Sequence, residues 1–220
     1  TAAADNLLPV SITTRAGNNA ISATTAFAYD WIGNLSTVDG PLSGSADLTK
    51  FRYDAARQQI GVVGPDPDGA GALKFRGVRQ AYSAWGQPTL NERGTVNSQS
   101  DADWAAFAVL EKSETVYDIH GRPTHGRLYD GATSNIISLV QYSYDSLGRR
   151  DCTSLRMNPA TYGSLPASAC TMAIAGGFGR DRISKSTYDA ASQVLKTTSA
   201  YASPLQQDSA VATYSTNGRL

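Results

Sequence analysis

The sequence has few of the side chains from which enzyme centres are usually built. Its 220 residues include two cysteines, two histidines and two methionines, and the only glutamates are Glu92, Glu111 and Glu114. Charged residues make up 17% of the chain, against roughly 25% in an average soluble domain. No catalytic triad, acid pair or metal-ligand cluster is evident, so we expect a protein that is not an enzyme and needs no cofactor.

Two further absences concern binding partners. The 19 Lys and Arg residues balance 19 Asp and Glu residues, and the formal net charge is zero. The chain as a whole therefore has no excess positive charge to hold nucleic acid or an anionic lipid surface. No uncharged apolar run approaches the roughly 18–20 residues that a membrane-spanning helix needs. We expect no nucleic-acid partner and no membrane span.

What the chain has in excess is glycine, with 20 residues, and tyrosine, with 11. Seven tyrosines begin copies of one motif, which in its full form reads Tyr-Asp-x-x-Gly-Arg. Five copies carry Asp next to Tyr, and five carry Gly four residues after Tyr, with Arg57 and Ser192 in the other two. The motif positions are Tyr29, Asp30 and Gly33; Tyr53 and Asp54; Tyr82 and Gly86; Tyr117, Asp118 and Gly121; Tyr144, Asp145 and Gly148; Tyr188 and Asp189; Tyr214 and Gly218.

Each motif is typical of a β-hairpin. The Asp carboxylate can accept backbone N–H groups two residues on, and Gly supplies the positive φ that closes a type I turn with a bulge. Because a single hairpin is marginally stable, the hairpins must pack side by side. The sequence therefore predicts a mostly β fold, an antiparallel β-hairpin repeat ribbon. We expect its tyrosines to stack across strands on one face, each pair contributing about 0.2–1 kcal/mol.

Two long steps between successive motif tyrosines predict insertions. In the first, Ser100 and Asp103 form a candidate capping pair, followed by apolar residues at helical spacing, which predicts a short helical insertion at about 98–113. The second is rich in Pro and Gly and predicts a loop-rich insertion at about 151–183. We interpret residues 1–220 as a single repeat array and as a fragment of a longer chain. The residues at helical spacing are Trp104, Phe107 and Leu110.

Seven motifs in register resemble the tyrosine–aspartate (YD) repeats of the bacterial RHS family, from about Phe27 to Leu220. The stretches Gly64–Gly71 and Cys152–Cys170 also resemble segments found in this family. The resemblance implies a β-strand ribbon that winds into a hollow shell, which in some members encloses a toxic polypeptide. It further implies a bacterial protein that is secreted or lies at the cell surface. Its expected partners are neighbouring repeats, copies of itself and a polypeptide cargo.

Other functions remain open. Related repeats in animal teneurins act in cell adhesion, so an alternative is a cell-surface adhesin whose aromatic face binds glycans. The regular position of the tyrosines favours a structural role instead. The second alternative is an enzyme, although neither His120 nor His125 lies in a recognisable triad, and a solvated turn is the simpler interpretation of His120.

Cys152 and Cys170 leave three interpretations open: a disulfide, a metal pair or free thiols. Two cysteines without a second pair or a histidine cluster do not make a zinc site. Since the family resemblance implies export to an oxidising compartment, we predict a disulfide. Asp66 and Asp68 are weak candidates for a metal site, because their carboxylates and nearby carbonyls suit Ca²⁺. Their alternative role is an ordinary turn, which Pro and Gly make rigid without a metal.

Overall fold

A computed structural model describes residues 7–69 and 71–218. Within these residues fourteen β-strands form one sheet, in which strands adjacent in sequence are adjacent in space. Every strand pairing described in register is antiparallel, so the predicted hairpin ribbon is confirmed. The strands are β1 (Ser11–Arg15), β2 (Ser22–Tyr29), β3 (Leu35–Asp39), β4 (Thr49–Tyr53), β5 (Gln59–Val63), β6 (Phe75–Tyr82), β7 (Pro88–Val96), β8 (Ala108–Tyr117), β9 (Pro123–Tyr129), β10 (Ile136–Tyr144), β11 (Arg150–Arg156), β12 (Arg182–Tyr188), β13 (Val194–Ser199) and β14 (Gln207–Val211).

The helical elements that lie wholly within the described residues are α1 (Asp101–Ala105) and a 3-10 turn (Pro159–Thr161). Neither is long or apolar enough to cross a membrane. The chain divides into two compact units, unit 1 (Thr1–Lys112) and unit 2 (Ser113–Leu220). The prediction of one array over 1–220 includes residues 1–6, 70, 219 and 220, which lie outside the described residues.

The helix α1 is shorter than predicted. Ser100 caps it as expected, because its Oγ accepts the N–H of Asp103 at 3.1 Å. The helix ends at Ala105, and β8 begins at Ala108, inside the predicted range of 98–113. Leu110, which we expected on the helix face, therefore lies in a strand and is 67% exposed. The strand β8 contains Val109, Thr115, Val116 and Tyr117, whose preference for strands competes with the helical spacing of the apolar residues.

A row of glycines makes room for the aromatic rings of this insertion in unit 1. A Cβ atom on Gly61 would overlap the ring of Trp104, and one on Gly77 would lie 2.8 Å from Cε2 of Phe107. Phe107 is buried with Val63 and Val96, with further partly buried apolar residues around them. The strand face that carries Gly61 and Gly77 is therefore the face on which the insertion packs. The surrounding residues are Phe75, Trp104 and Val109.

Substitution of Gly94 by alanine is expected to destabilise unit 1 by about 1–3 kcal/mol through overpacking. The new methyl group would overlap the carbonyl oxygen of Ala108 and lie 2.5 Å from Cε1 of Phe107. Because all three tryptophans, Trp31, Trp85 and Trp104, lie in unit 1, tryptophan fluorescence during urea unfolding reports this change. Gly17→Ala is the matched control, since nothing lies within 4 Å of its added Cβ. Equal stability of the two variants would contradict this packing.

In unit 2 the strands extend further into the loop-rich insertion than we predicted. β11 runs to Arg156 and β12 begins at Arg182, so the insertion is confined to residues 157–181 rather than about 151–183. Part of it packs on the sheet, where Cys152, Ala169 and Ile183 are almost fully buried. The insertion is shorter because β11 pairs with β12. The pairing runs from Cys152 opposite Lys185 to Leu155 opposite Arg182. Cys170, Met172 and Tyr201 surround this cluster.

Candidate functional site

The motif hairpins share one turn geometry. In the hairpin of Tyr144, the N–H of Asp145 donates to the carbonyl of Arg149 at 2.8 Å, and the N–H of Gly148 donates to the carbonyl of Asp145 at 2.9 Å. The same two hydrogen bonds, between 2.8 and 3.2 Å, recur at six motif turns. This is a type I turn closed by a bulge. The six turns begin at Asp30, Asp54, Ser83, Asp118, Asp145 and Asp189.

The fourth residue after each motif tyrosine adopts a positive φ, whether or not it is glycine. Five glycines lie between +72° and +86°, while Arg57 and Ser192 both lie at +65°. The two departures from the sequence motif therefore keep its backbone, in a region that non-glycine residues seldom adopt. Of the last motif, Gly218 is described, whereas Arg219 and Leu220 lie outside the described residues. The five glycines are Gly33, Gly86, Gly121, Gly148 and Gly218.

The motif aspartates hold the turns closed. At Asp118, Oδ1 accepts the N–H groups of His120 and Arg122, each at 2.9 Å, and Oδ2 accepts Nε of Arg122 at 2.8 Å. The main-chain hydrogen bond from Arg122 lowers the pKa of Asp118. Burial opposes this shift, whereas the hydrogen bonds from the Arg122 side chain and the His120 N–H lower the pKa further. Asp145 makes the equivalent contacts with Leu147 and Arg149. The turn carboxylates are thus engaged in holding the local backbone.

Serine replaces the motif aspartate at Ser83 and takes over part of its role. The Oγ of Ser83 accepts the N–H groups of Trp85 and Gln87 at 3.2 and 3.3 Å. These are the same two backbone positions that Asp118 holds in its own turn. A side-chain oxygen, rather than a negative charge, is therefore the common requirement of the position.

The motif tyrosines link successive hairpins through their hydroxyl groups, a contact that the sequence analysis missed. The hydroxyl of Tyr144 donates to the carbonyl of Pro123 at 2.8 Å. Pro123 is the sixth residue after Tyr117, the tyrosine of the preceding motif. The same relation recurs in three further pairs, so it is a property of the repeat. They are Tyr82 with Gln59 (2.9 Å), Tyr188 with Arg150 (2.7 Å) and Tyr214 with Val194 (3.0 Å).

The arginine that ends one turn covers the tyrosine ring of the next hairpin. The guanidinium carbon of Arg122 lies 4.5 Å from the ring centre of Tyr144, and that of Arg149 lies 4.7 Å from the ring centre of Tyr188. These are cation–π contacts. We predicted tyrosine rings stacked on one another, whereas the contacts seen at these two rings are with a guanidinium. The constant polar residue five positions after each tyrosine was the signal that could have indicated this.

Tyr144→Phe is expected to lower the free energy of unfolding by about 1 kcal/mol, since it removes one hydrogen bond and leaves the Pro123 carbonyl without its donor. The matched control is Tyr142→Phe in the same strand, because the ring of Tyr142 likewise lies under a guanidinium, that of Arg150, at 4.5 Å. We expect the control to change stability by less than about 0.5 kcal/mol. Chemical denaturation followed by circular dichroism compares the two, and equal losses would contradict the hydroxyl link.

A buried arginine fastens the insertion of unit 2 to its sheet. Arg156 is 1% exposed, and its Nη1 donates to Oδ2 of Asp181 at 2.6 Å and to the carbonyl of Thr171 at 2.7 Å. Its Nε donates to Gln141 on the adjacent strand at 3.0 Å. Nη2 donates to the carbonyl of Ser168 at 3.1 Å. One side chain therefore joins two strands and three points of the insertion.

Cys152 and Cys170 form a disulfide, with their Cα atoms 5.3 Å apart. Asp151 lies beside it, and its carboxylate and the two sulfur atoms fall within 4.8 Å of one another. This trio has the residue types of a metal site, but both sulfurs are bonded to each other and provide no thiolate. Its role in this structure is to cross-link β11 to the insertion.

The remaining predicted positions serve local contacts. Oδ1 of Asp66 accepts the N–H of Asp68 at 3.2 Å, and Oδ2 of Asp68 accepts the N–H of Leu73 at 3.0 Å, so both carboxylates stabilise their loop. His120 lies in the motif turn, as expected. His125 pairs with the hydroxyl of its neighbour Thr124 at 2.9 Å. Burial lowers the pKa of His125, and two nearby arginines, Arg127 and Arg156, add to that effect.

These observations define a β-hairpin repeat protein whose motif residues serve turns and links between hairpins. No family model matches the chain, and no curated protein matches it either. Among solved structures, it is similar to TcdB2-TccC3 without its hypervariable C-terminal region, with 17% identity over 91% of this chain and a TM-score of 0.46. It is also similar to the Photorhabdus luminescens Tc holotoxin pore, with 18% identity over 81% of this chain and a TM-score of 0.39. The chain spans 10% and 9% of those chains.

Proposed function

We propose that this chain is a structural segment of an exported RHS-type YD-repeat protein, in which its sheet serves as part of the wall of a shell or surface assembly. The observation that carries the proposal is the tyrosine hydroxyl bonded to the preceding hairpin, at the same repeat position four times. Such a link joins each hairpin to the next in addition to the strand hydrogen bonds. A wall that must remain closed requires this continuity between neighbouring units.

The two faces of the sheet differ within each unit, as the faces of a wall would. In unit 1, Gly77 lies on the face covered by Phe107, so the alternation of strand residues places Val78 and Tyr82 on the opposite face. In unit 2, Gln141 donates to the carbonyl of Pro166 in the insertion, so Tyr144 lies on the opposite face of β10. In both units, therefore, the insertion and the motif tyrosine occupy opposite faces.

A non-enzymatic role and export form part of the same proposal. Several motif carboxylates that could act as acids or bases already hold turn backbone, as at Asp30, Asp118 and Asp145. A disulfide persists in oxidising compartments such as the periplasm or the cell exterior, which supports a secreted or cell-surface bacterial protein. The partners we propose are neighbouring repeats, copies of the chain and a polypeptide cargo.

Hydrogen exchange followed by mass spectrometry tests the structural role. In Tyr144→Phe/Tyr188→Phe, we expect faster amide exchange in β9–β13 and unchanged exchange in unit 1, since the lost links lie between these hairpins. Unchanged exchange throughout would contradict the proposal. Glycan-array binding that disappears in Tyr142→Ala would indicate an adhesin instead. Hydrolytic activity abolished by a single substitution would indicate an enzyme.

A further inference from the structure

An open groove on the tyrosine-bearing face of unit 1 combines apolar and basic residues. Its volume is about 590 Å³. Val62 and Val78 lie opposite each other on β5 and β6 and form its floor, while Leu73, 64% exposed, lies at its edge. Lys74 and Arg76 contribute positive charge, while the other two charged lining residues, Arg93 and Glu111, lie 4.0 Å apart and compensate each other. The groove thus offers both an apolar surface and cationic groups to solvent.

Unit 2 has a groove of the same character, about 700 Å³ in volume. Phe178 and Leu205 are its exposed apolar residues, at 72% and 80% exposure. Arg180 and Arg182 are its basic residues. Its one acidic lining residue, Asp181, is committed to the buried ion pair with Arg156.

The two grooves correspond in the register of the repeat. Lys74 and Arg76 precede Tyr82 by eight and six residues, and Arg180 and Arg182 precede Tyr188 by the same intervals. All four basic side chains are exposed, and none has an ion-pair partner among residues 7–69 and 71–218. In a chain of zero net charge, the same uncompensated pair of cations therefore lies beside an apolar groove in each unit.

We propose that each groove binds an extended polypeptide segment in which acidic residues are interspersed with apolar ones. This deepens the proposed function and rests on it, because it specifies the chemistry by which the wall holds a cargo chain. Carboxylates pair with Lys74 and Arg76 in one groove, and with Arg180 and Arg182 in the other. Apolar side chains of the segment fill the space between Val78 and Leu73, or between Phe178 and Leu205.

The lining favours a polypeptide over a nucleic acid or a sulfated glycan. Polyanions of those kinds are held by long tracks of cations, since most of their contacts are to phosphate or sulfate groups. Each groove has instead a short cationic pair beside several apolar side chains, which a polyanion would leave without a partner. An alternating acidic and apolar peptide satisfies both kinds of surface.

Fluorescence anisotropy of short labelled peptides, with the intact 220-residue chain, tests the proposal. The probe is a peptide of repeated Leu-Glu-Ser, compared with Leu-Lys-Ser and Ser-Glu-Ser peptides of equal length. We expect only Leu-Glu-Ser to bind, with affinity that falls as salt is raised. Arg76→Glu and Arg182→Glu should each weaken binding at their own groove by about tenfold. Arg15→Glu is the matched control, since it makes the same charge change on an exposed strand outside both grooves.

Hydrogen exchange in the presence of the peptide assigns each effect to a groove. Protection around β6 should disappear in Arg76→Glu and persist in Arg182→Glu, and protection around β12 should show the reverse. Leu73→Ser, which changes an exposed side chain and leaves the core intact, should also weaken binding in unit 1.

Three results would overturn the inference: equal binding of Leu-Lys-Ser, binding unaffected by either charge reversal, or a heparin oligosaccharide that outcompetes the peptide at the same residues. Each of them would leave the exchange test of the tyrosine links unchanged. Unchanged hydrogen exchange in Tyr144→Phe/Tyr188→Phe would instead contradict the proposed wall function. The two failures are therefore distinguishable.

Discussion

Asp181→Ala is expected to destabilise the protein by about 3–5 kcal/mol, because removing one partner of a buried ion pair leaves the other charge without compensation. The side chains of Arg156 and Asp181 are 0% and 2% exposed, so water cannot replace the lost carboxylate. The N–H groups of Met157 and Ala173, both 2.9 Å from the carboxylate, also lose their acceptor. Guanidinium chloride unfolding followed by circular dichroism measures the loss, and hydrogen exchange should place it in residues 157–181.

The control for this variant is Asp208→Ala in the same unit. Asp208 pairs with Lys196 at 3.3 Å, and both side chains are about two-fifths exposed, at 43% and 41%. An exposed pair of this kind contributes less than about 1 kcal/mol. Asp208 also accepts the hydroxyl of Thr198 at 2.8 Å, a hydrogen bond that contributes about 1 kcal/mol, so we expect Asp208→Ala to cost roughly 1–2 kcal/mol in total. Similar losses in the two variants would contradict the anchoring role of Arg156.

Acid should weaken the same anchor. Burial alone would raise the pKa of Asp181, but hydrogen bonds from Met157, Ala173 and Arg156 outweigh burial and lower it below its ordinary value. A carboxyl group whose pKa is lower in the folded state contributes stability above its unfolded pKa of about 3.9, and that stability is lost as the pH falls through the folded pKa. Unfolding free energy measured below about pH 4 should therefore fall more steeply with decreasing pH in the native protein than in Asp181→Ala.

Reduction of the Cys152–Cys170 disulfide is expected to lower the free energy of unfolding by about 3 kcal/mol, since the cross-link closes a loop of 18 residues in the unfolded chain. For a chain of this size, that corresponds to a fall in melting temperature of roughly 6–12 °C. Thermal unfolding with and without a reductant measures the change. The insertion should also exchange its amides faster, because the disulfide fastens it to β11.

The disulfide has its own control. Cys152→Ala/Cys170→Ser lacks the cross-link, so its melting temperature should not respond to the reductant. An unchanged melting temperature of the reduced native protein would contradict the prediction. Two free thiols in the denatured, unreduced protein would show that the bond is not formed.

The hairpin turns could be predicted from the sequence because their determinants are local. A motif such as Tyr144-Asp145-x-x-Gly148 places a carboxylate next to the N–H groups that it holds, and a glycine where φ must be positive. These interactions span at most four residues, so the identity of each residue is sufficient to indicate the turn. The antiparallel ribbon follows, because each turn reverses the chain and an isolated hairpin is marginal.

The length of α1 illustrates where local reasoning failed. Trp104, Phe107 and Leu110 have helical spacing, yet only the first two face the core of unit 1. Whether a strand begins at Ala108 depends on whether an adjacent strand can pair with it, and on the room that Gly77 and Gly94 leave for the ring of Phe107. Neither condition is visible in the segment itself.

By itself, the sequence determined the recurring turns, the β-ribbon and the place of both insertions along the chain, because these depend on contacts between near neighbours. Only the tertiary structure decided that Tyr144 bonds to Pro123, that Arg122 covers the ring of Tyr144, and that Arg156 is buried with Asp181. Each of these contacts joins residues 21 to 25 positions apart, brought together by strand register. Register depends on the balance of packing across the whole sheet, which no single motif contains.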